Sequence, residues 1–596
     1  MQGRLDRLTG QLQSLGEEIK LLPVDGFDSN GLQPLPGTTQ ATTDKQQPVS
    51  SGRRIDDRPT VKEGYSLLES KECFSGDTYH GLSSGNSFIS SIRGTSLNVL
   101  GMEIDLADNL SPDVEEPDPV NHSGQLKSNK SYRAFIQTAL GIGPKPRNPG
   151  LPPRQEAFMY AEWCFKTVLP YLPVLHKPTF FATVRNPFSN LDEPADRFLK
   201  LSKFYDDPTF IPTSAEIVLV HIVLALMYFQ VASRNYEDEQ QRCELHRRSD
   251  GHYHYALGFY PDLVAGRTLE DVQALAMICA QLRSFTKPGA CWMVTSTTLN
   301  IAIELGLHRS AQCWPSTAPR KNLLEVQMQK RVFWTIFLIH IYVSGKLGRP
   351  MALGECDFDV ELPEALDDQA INEEGIDTSK NQRCGFLVGL EAFKSNLIFL
   401  DIYNNIYTVK RSPGTYLETI RRIERRIELW RQQWPEELIV GSPANQEQYR
   451  AEARYVRLWE LELRLLLRHP SLGLTSSSIF NEESLSICLD SSKRMLEHVQ
   501  WLQRHRCLDT NWQTNITYVL ALSTTLYGHW VRKDKISVED LNVLSDDMNV
   551  WLGVMGEVGS LIGESHEPHG VHAALFTVLM TRRVGQASPR VHSGRD

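Results

Sequence analysis

From Val332 to Val343 the chain is apolar on nearly every side of the helix it would form. Such a helix has no face left for water, so it must sit at the centre of a bundle. The stretch around it, Ala290 to Pro363, fixes its ends and its first neighbour. A preceding helix runs from near Cys291-Trp292-Met293 to Glu304-Leu305. Trp292, Ser296, Leu299 and Ile303 recur at spacings of three and four and share one face of it. Gly306 is its expected left-handed C-terminal residue. The central helix starts near Leu323 and ends at Ser344-Gly345-Lys346-Leu347-Gly348-Arg349-Pro350. Pro350 cannot continue a helix and pushes Arg349 into an extended conformation. An acidic segment follows, Glu355, Asp357, Asp359 and Glu361, closed by Leu362-Pro363. Arg349 is placed to pair with Asp357 or Asp359 and so to lock the turn.

A chain of 596 residues has room for two or more domains, or for one large helical domain with tails. Its formal charge of −10 argues against wholesale coating of nucleic acid and leaves room for a small basic module. The cysteines run from Cys73 to Cys507 with no pair at C-x2-C spacing. That pattern speaks against a disulfide framework or zinc ribbon and for free, mostly buried thiols in a reducing compartment. The N-terminus is polar and heptad-like rather than a signal peptide. The longest apolar run, Ile217 to Phe229, is interrupted by His221 and falls short of the ~20 residues a membrane span needs. The reading is a soluble intracellular protein with no membrane partner.

Residues 1–22 carry an a/d seam: Leu5, Leu8, Leu12, Leu15, Ile19 and Leu22 alternate spacings of three and four. A short coiled coil of this kind needs a partner, so it is read as a dimerisation helix, weakened by Gly10 and Gly16 and ended by Pro23. Residues 23–129 are rich in Ser, Gly, Pro, Asp and Thr and read as a disordered linker. Within it, Gly81-Leu82-Ser83-Ser84-Gly85 matches the G-x-S-x-G nucleophile elbow, but without the strand and helix that the motif requires. It is taken as an accident of composition. Leu97 to Pro119 mixes acidic and apolar residues, as activation segments and solvated linkers both do.

Residues 130–585 read as an all-α domain, and 586–596 as a flexible tail. Helices are expected at Tyr132–Leu140, from Pro153 through Val168, at Val218–Val231, at Thr268–Ser284 and from Phe386 onward. Cys243, His246, His252 and His254 crowd around another helix; thiolate and imidazole suit zinc, but the spacing matches no standard site, so they are read as a polar helix surface. Asp367 to Arg383 is a polar insertion. Ile420, Ile423, Ile427, Trp430 and Trp434 form a second apolar stripe. Arg421, Arg422, Arg425, Arg426 and Arg431 beside it are read as a solvated face with internal ion pairs rather than a phosphate track. Helices at Tyr455–His469, Leu485–Leu502, Trp512–Val531 and Val538–Gly556 complete the domain. No segment after residue 130 alternates like a strand for long, and neither G-x-x-x-x-G-K-[ST] nor H-E-x-x-H occurs. No nucleophile, base and orienting group stand together, so no catalytic residues are assigned.

Five boxes of this chain, in order, resemble the fungal-specific transcription factor domain, the middle homology region of fungal zinc-cluster transcription factors; the last is Leu362-Pro363, similar to its terminal Leu-Pro. Pro173-Val174-Leu175-His176-Lys177-Pro178-Thr179-Phe180 is similar to its opening turn, in which His176 buttresses the turn. Leu305-Gly306-Leu307-His308-Arg309 is similar to its Leu-Gly-Leu-His-Arg box, and Trp292 precedes it in the same helix. Arg331-Val332-Phe333-Trp334 resembles its Arg-x-x-Trp-Trp helix, with Phe333 in place of the first Trp, and Gly348-Arg349-Pro350 its Gly-Arg-Pro turn. The resemblance implies a nuclear regulator of RNA polymerase II transcription, controlling metabolic or secondary-metabolite genes and working as a homo- or heterodimer with the transcription machinery. It also implies zinc in a six-cysteine module ahead of the coiled coil. Here no cysteine precedes Cys73, so the family's zinc and DNA-contact residues have nothing to map onto and no cofactor is assigned. Two readings follow. The chain lacks an N-terminal exon, and the full protein binds DNA directly; or it is an accessory co-regulator that dimerises with a DNA-binding relative.

Overall fold

The computed structural model describes residues 74–75, 78–79, 83, 132–142, 145–181, 201–234, 238–285, 289–313, 322–381, 383–408, 415–469, 477–509, 511–532 and 537–562. The expected coiled coil at 1–22, the acidic segment at 97–119 and the tail at 586–596 lie outside them. Among the described residues, sixteen α-helices follow one minimal hairpin, β1 (Phe74–Ser75) and β2 (Thr78–Tyr79). They are α1 (Tyr132–Ala139), α2 (Arg154–Thr167), α3 (Lys177–Phe181), α4 (Lys203–Asp206), α5 (Ser214–Arg234), α6 (Glu239–Leu257), α7 (Tyr260–Gly266) and α8 (Leu269–Leu282). Then come α9 (Gly289–Glu304), α10 (Leu323–Leu347), α11 (Leu387–Asn405), α12 (Tyr416–Gln432), α13 (Arg450–Arg468), α14 (Ser478–Arg504), α15 (Trp512–Val531) and α16 (Val538–Ile562). The fold class is all-α.

The central helix is α10, and its ends are set by local chemistry. Asn322 and Glu325 form a reciprocal capping box at its start, and Gly348 ends it in the left-handed region at φ 67°. It runs through Leu347, so the Gly-Lys-Leu stretch belongs to its last turn and is buried. The chain packs onto it in order: α8 on α9, α9 on α10, α10 on α11, α11 on α13, α13 on α14 and α14 on α15, while α15 returns to α10. On the other side α5 packs against α2, α6 and α8, and α16 reaches back to α5. One continuous apolar core joins these helices.

Helix α5 is long and apolar enough to cross a membrane, but 83% of its most apolar window is buried by the other helices. It continues past the apolar run to Arg234, and His221 within it faces His252 of α6. Their Nδ1 atoms lie 2.8 Å apart, so His252 is a core residue and not part of a polar surface. On α9 the fully buried face is Cys291, Val294, Thr295, Thr298, Leu299 and Ala302, so of the expected stripe Leu299 lies in the core. Trp292, Ser296 and Ile303 border it, half-buried, because α8 and α10 close on the small side chains first. The polar insertion at 367–383 is anchored too: Ala370 and Ile371 enter the core.

Candidate functional site

The family boxes assemble around two clasps, the first buried and the second at the surface. In the first, His176 Nε2 donates to the Asp368 carbonyl at 2.8 Å and Nδ1 accepts from the Thr179 hydroxyl at 2.5 Å. Pro178 lies within the short helix α3, and Leu175 and Phe180 fill the core beside it. Arg331 of α10 donates to Asp368 Oδ1 at 2.6 Å, while the Lys177 amide donates to Oδ2 at 2.9 Å. Burial by itself would raise the Asp368 carboxyl's pKa; Arg331, His176 and the Lys177 amide hold it below the ordinary value.

The second clasp holds the acidic segment. Gly306 is left-handed at φ 70°, and Leu307 N bonds back to the Ala302 carbonyl at 2.9 Å. That turn presents the His308 carbonyl to the amides of Asp359 and Val360, both at 3.2 Å. Arg309 grips Asp359 with two parallel bonds of 2.9 and 3.0 Å. Arg309 thus ties the turn to the acidic run. Asp357 accepts from the Gly354 amide at 2.6 Å, and the Arg349 guanidinium lies 4.4 Å over the Trp292 ring. Pro350 follows it as the break in the chain, and Trp334 Nε1 donates to the Glu361 carbonyl at 3.0 Å.

Other candidates resolve locally. Ser83 Oγ donates to the Gly345 carbonyl at 2.6 Å. Cys243 is exposed, His246 meets Phe229 edge-on and His254 contacts Thr138, so the four candidate ligands point to different partners. Among the described residues no three His, Cys, Asp or Glu side chains converge. On α12, Arg422 and Arg426 both bind Asp401, Arg426 reaches Glu355, and Arg431 pairs with Glu428.

A concave site lies elsewhere, and none of the box residues lines it. A cavity of about 750 Å³ opens between α2, α5, α8, α10, α13 and α15. Its wall is aromatic: Tyr171 meets Tyr455 and Trp459 edge-on at 5.8 and 6.5 Å, with Trp163 beside them. At its inner end Lys346 and Glu462, both almost fully buried, form an ion pair. Thr517 joins them, accepting from Lys346 Nζ at 2.8 Å and donating to Glu462 at 3.0 Å. Glu452 also faces the cavity, and burial pushes its carboxyl up to about 7. The Tyr518 hydroxyl and Gln513 Nε2 are buried with no partner among the described residues. Such a pocket, mostly apolar with a few convergent polar groups, suits a small molecule. The lining residues come from segments hundreds of positions apart. The available sequence signal is charge inside apolar runs, such as Glu460 and Glu462 in Leu458–Leu463.

Residues 164–432 match the model of the fungal specific transcription factor domain. This part of the chain is a fungal specific transcription factor domain. The matched span of that domain runs from α2 to the end of α12 and includes both clasps. Among curated proteins, the chain is 23% identical over 386 residues to activator of stress genes 1 of Saccharomyces cerevisiae, covering 64% of this chain and 38% of that protein. It is 24% identical over 291 residues to an ABC-transporter-regulating transcription factor of Aspergillus oryzae, covering 48% and 29%. A third relative, transcriptional activator protein acu-15 of Neurospora crassa, is 21% identical over 394 residues, covering 64% and 39%. The chain thus spans about a third of the length of these relatives. No solved structure matches it significantly.

Proposed function

We propose that the chain is a nuclear regulator of RNA polymerase II transcription, and that its helical domain is a regulatory module rather than an enzyme. The match of residues 164–432 to the fungal domain carries this reading, and the names of the relatives agree with it. The cavity is the place where a small effector would act. A ligand bound between helices from both ends of the domain would favour one arrangement of those helices over another. Metabolic or secondary-metabolite genes are the proposed targets, and the Leu5–Leu22 heptads the proposed route to a homo- or heterodimer. The chain, fused to a heterologous DNA-binding domain and tethered upstream of a reporter in fungal cells, should change the reporter's transcription. Reporter output identical to that of the DNA-binding domain alone would defeat the reading.

A second reading, that of an accessory co-regulator acting through a DNA-binding relative, is favoured by α12. Its arginines 422, 426 and 431 are committed to carboxylates of this chain rather than left for phosphates. Electrophoretic shifts of labelled promoter DNA by the purified chain, across a salt series, separate the two. Specific shifts support direct binding, and their absence supports the partner route.

A further inference from the structure

The charge around the cavity is lopsided. Arg234, ending α5, donates to Gln230 and to the Leu508 carbonyl, the latter at 2.8 Å. Arg283, just after α8, donates through Nε to Gln513 Oε1 at 2.9 Å. Both guanidiniums reach the cavity, and among the described residues neither forms an ion pair. Lys166 and Arg506 add two further cations to the lining. Three carboxylates oppose these four. Glu462 is already neutralised by Lys346, and Asp509 accepts from Asn511 and Thr514, which leaves Glu452 facing the space.

The hydrogen-bonding groups agree with the charge. Gln513 Nε2 is a buried donor with no partner, and the Tyr518 hydroxyl beside it is unmatched. Both stand on α15, which is 20 residues long, begins at Trp512 and turns its N-terminal residues Gln513 and Thr514 to the cavity. The positive end of that helix dipole therefore adds to the guanidiniums. Opposite them stands the aromatic wall of Tyr171, Tyr455 and Trp459. A ligand that satisfies both ends carries a delocalised negative charge on a flat apolar body.

We propose that the cavity takes an organic monoanion with an aromatic body, its carboxylate or sulfonate held by Arg234, Arg283 and the Gln513 amide. This rests on the effector-site reading above and names the ligand class.

Two probes of the same shape test it on the full chain. 1-Anilinonaphthalene-8-sulfonate is an aromatic monoanion, and N-phenyl-1-naphthylamine is its neutral counterpart; both brighten in apolar surroundings. The sulfonate should bind the wild type, and Ala451→Trp, which fills the cavity, should abolish binding of both probes. Arg283→Gln and Arg234→Gln should each weaken the sulfonate roughly tenfold while leaving the neutral probe within a factor of two. Arg283→Lys should restore most of the loss. Circular dichroism and thermal melting establish that each variant folds, and if one does not, the other arginine decides. Unchanged sulfonate affinity in the folded Gln variants overturns the inference. Entry of the neutral probe alone, blocked by Ala451→Trp, overturns the anion assignment and leaves the effector cavity standing. Exclusion of both probes from the wild type overturns the inference and the effector cavity together.

Discussion

Arg331 Nη1 donates to Asp368 Oδ1 at 2.6 Å, and the same guanidinium lies 4.1 Å over the Phe386 ring. The arginine is 1% exposed. This pair ties the central helix α10 to the polar segment after it, and through His176 and Lys177 to the opening turn. Removing one partner of a buried pair strands the other charge, at a cost of about 3–5 kcal/mol. Asp368→Ala should therefore lower unfolding stability by about 3 kcal/mol in urea melts at neutral pH. The pair's contribution should also fade in acid. Asp368 titrates below its ordinary 3.8 in the folded state, so its stabilisation is complete above that value and is lost as pH falls through the folded pKa. A wild type and an Asp368→Ala variant that melt alike at neutral pH would remove this clasp from the account.

The imidazoles of His221 and His252 also lose stability in acid, but by gaining a charge on protonation rather than losing one. Both are buried and neutral; burial, then the neighbouring ring, brings His221 down to about 3, and burial, then Arg248, brings His252 down to about 4. His340 on α10 is held near 4 by burial, with Nε2 accepting from the Ala352 amide at 3.1 Å. In the unfolded chain each would take a proton near 6.5. Between these values the unfolded state binds more protons, so stability falls as pH drops from 7.5 to 5, by roughly 2 kcal/mol per imidazole at pH 5. His221→Leu should flatten that slope, and potentiometric or urea-melt data at several pH values give the number. A slope unchanged by the substitution counts against the pair.

At the inner end of the cavity, Lys346 and Glu462 are 3% and 4% exposed, and Thr517 bridges them. Lys346→Met alone should destabilise by about 3–5 kcal/mol, because Glu462 is left charged in the core. The double variant Lys346→Met with Glu462→Leu should recover most of the loss, since apolar replacements of a buried pair come close to neutral. A double-mutant cycle measures the coupling. Additive losses would mean that the two charges do not meet.

How far the sequence anticipates this molecule depends on the range of the interaction concerned. The caps of α10, the left-handed Gly306 and the apolar stripe of α12 are set within a few residues, and all are legible from spacing and residue type. Partner choice is not. Arg309 stands 50 residues before Asp359, and the turn made by Gly306 aims it there. His252 reads as part of a polar helix until α5 supplies His221 against it. The cavity is furthest from view, since Trp163, Arg283, Glu462 and Tyr518 come together only when four helices pack.

Two glycines at the C-terminal end of the central helix illustrate the difference between local and long-range demands. Gly348 is left-handed at φ 67°, so an alanine there strains the backbone by about 1 kcal/mol, whatever surrounds it. Gly345 lies inside α10 with ordinary helical backbone, and alanine would suit that backbone better than glycine. A Cβ at Gly345 would nevertheless stand 2.2 Å from the Tyr403 ring of α11, a fully overlapping contact. The tyrosine is buried and has little room to withdraw. Gly345→Ala should therefore cost more than Gly348→Ala, about 2–3 kcal/mol from overpacking against about 1 from strain. Pairing Gly345→Ala with Tyr403→Leu should return much of the loss, whereas Tyr403→Leu should leave the Gly348→Ala deficit unchanged. Thermal melting of the four variants decides it: a Gly345→Ala protein as stable as wild type would mean that α11 packs less closely on α10 than this geometry requires.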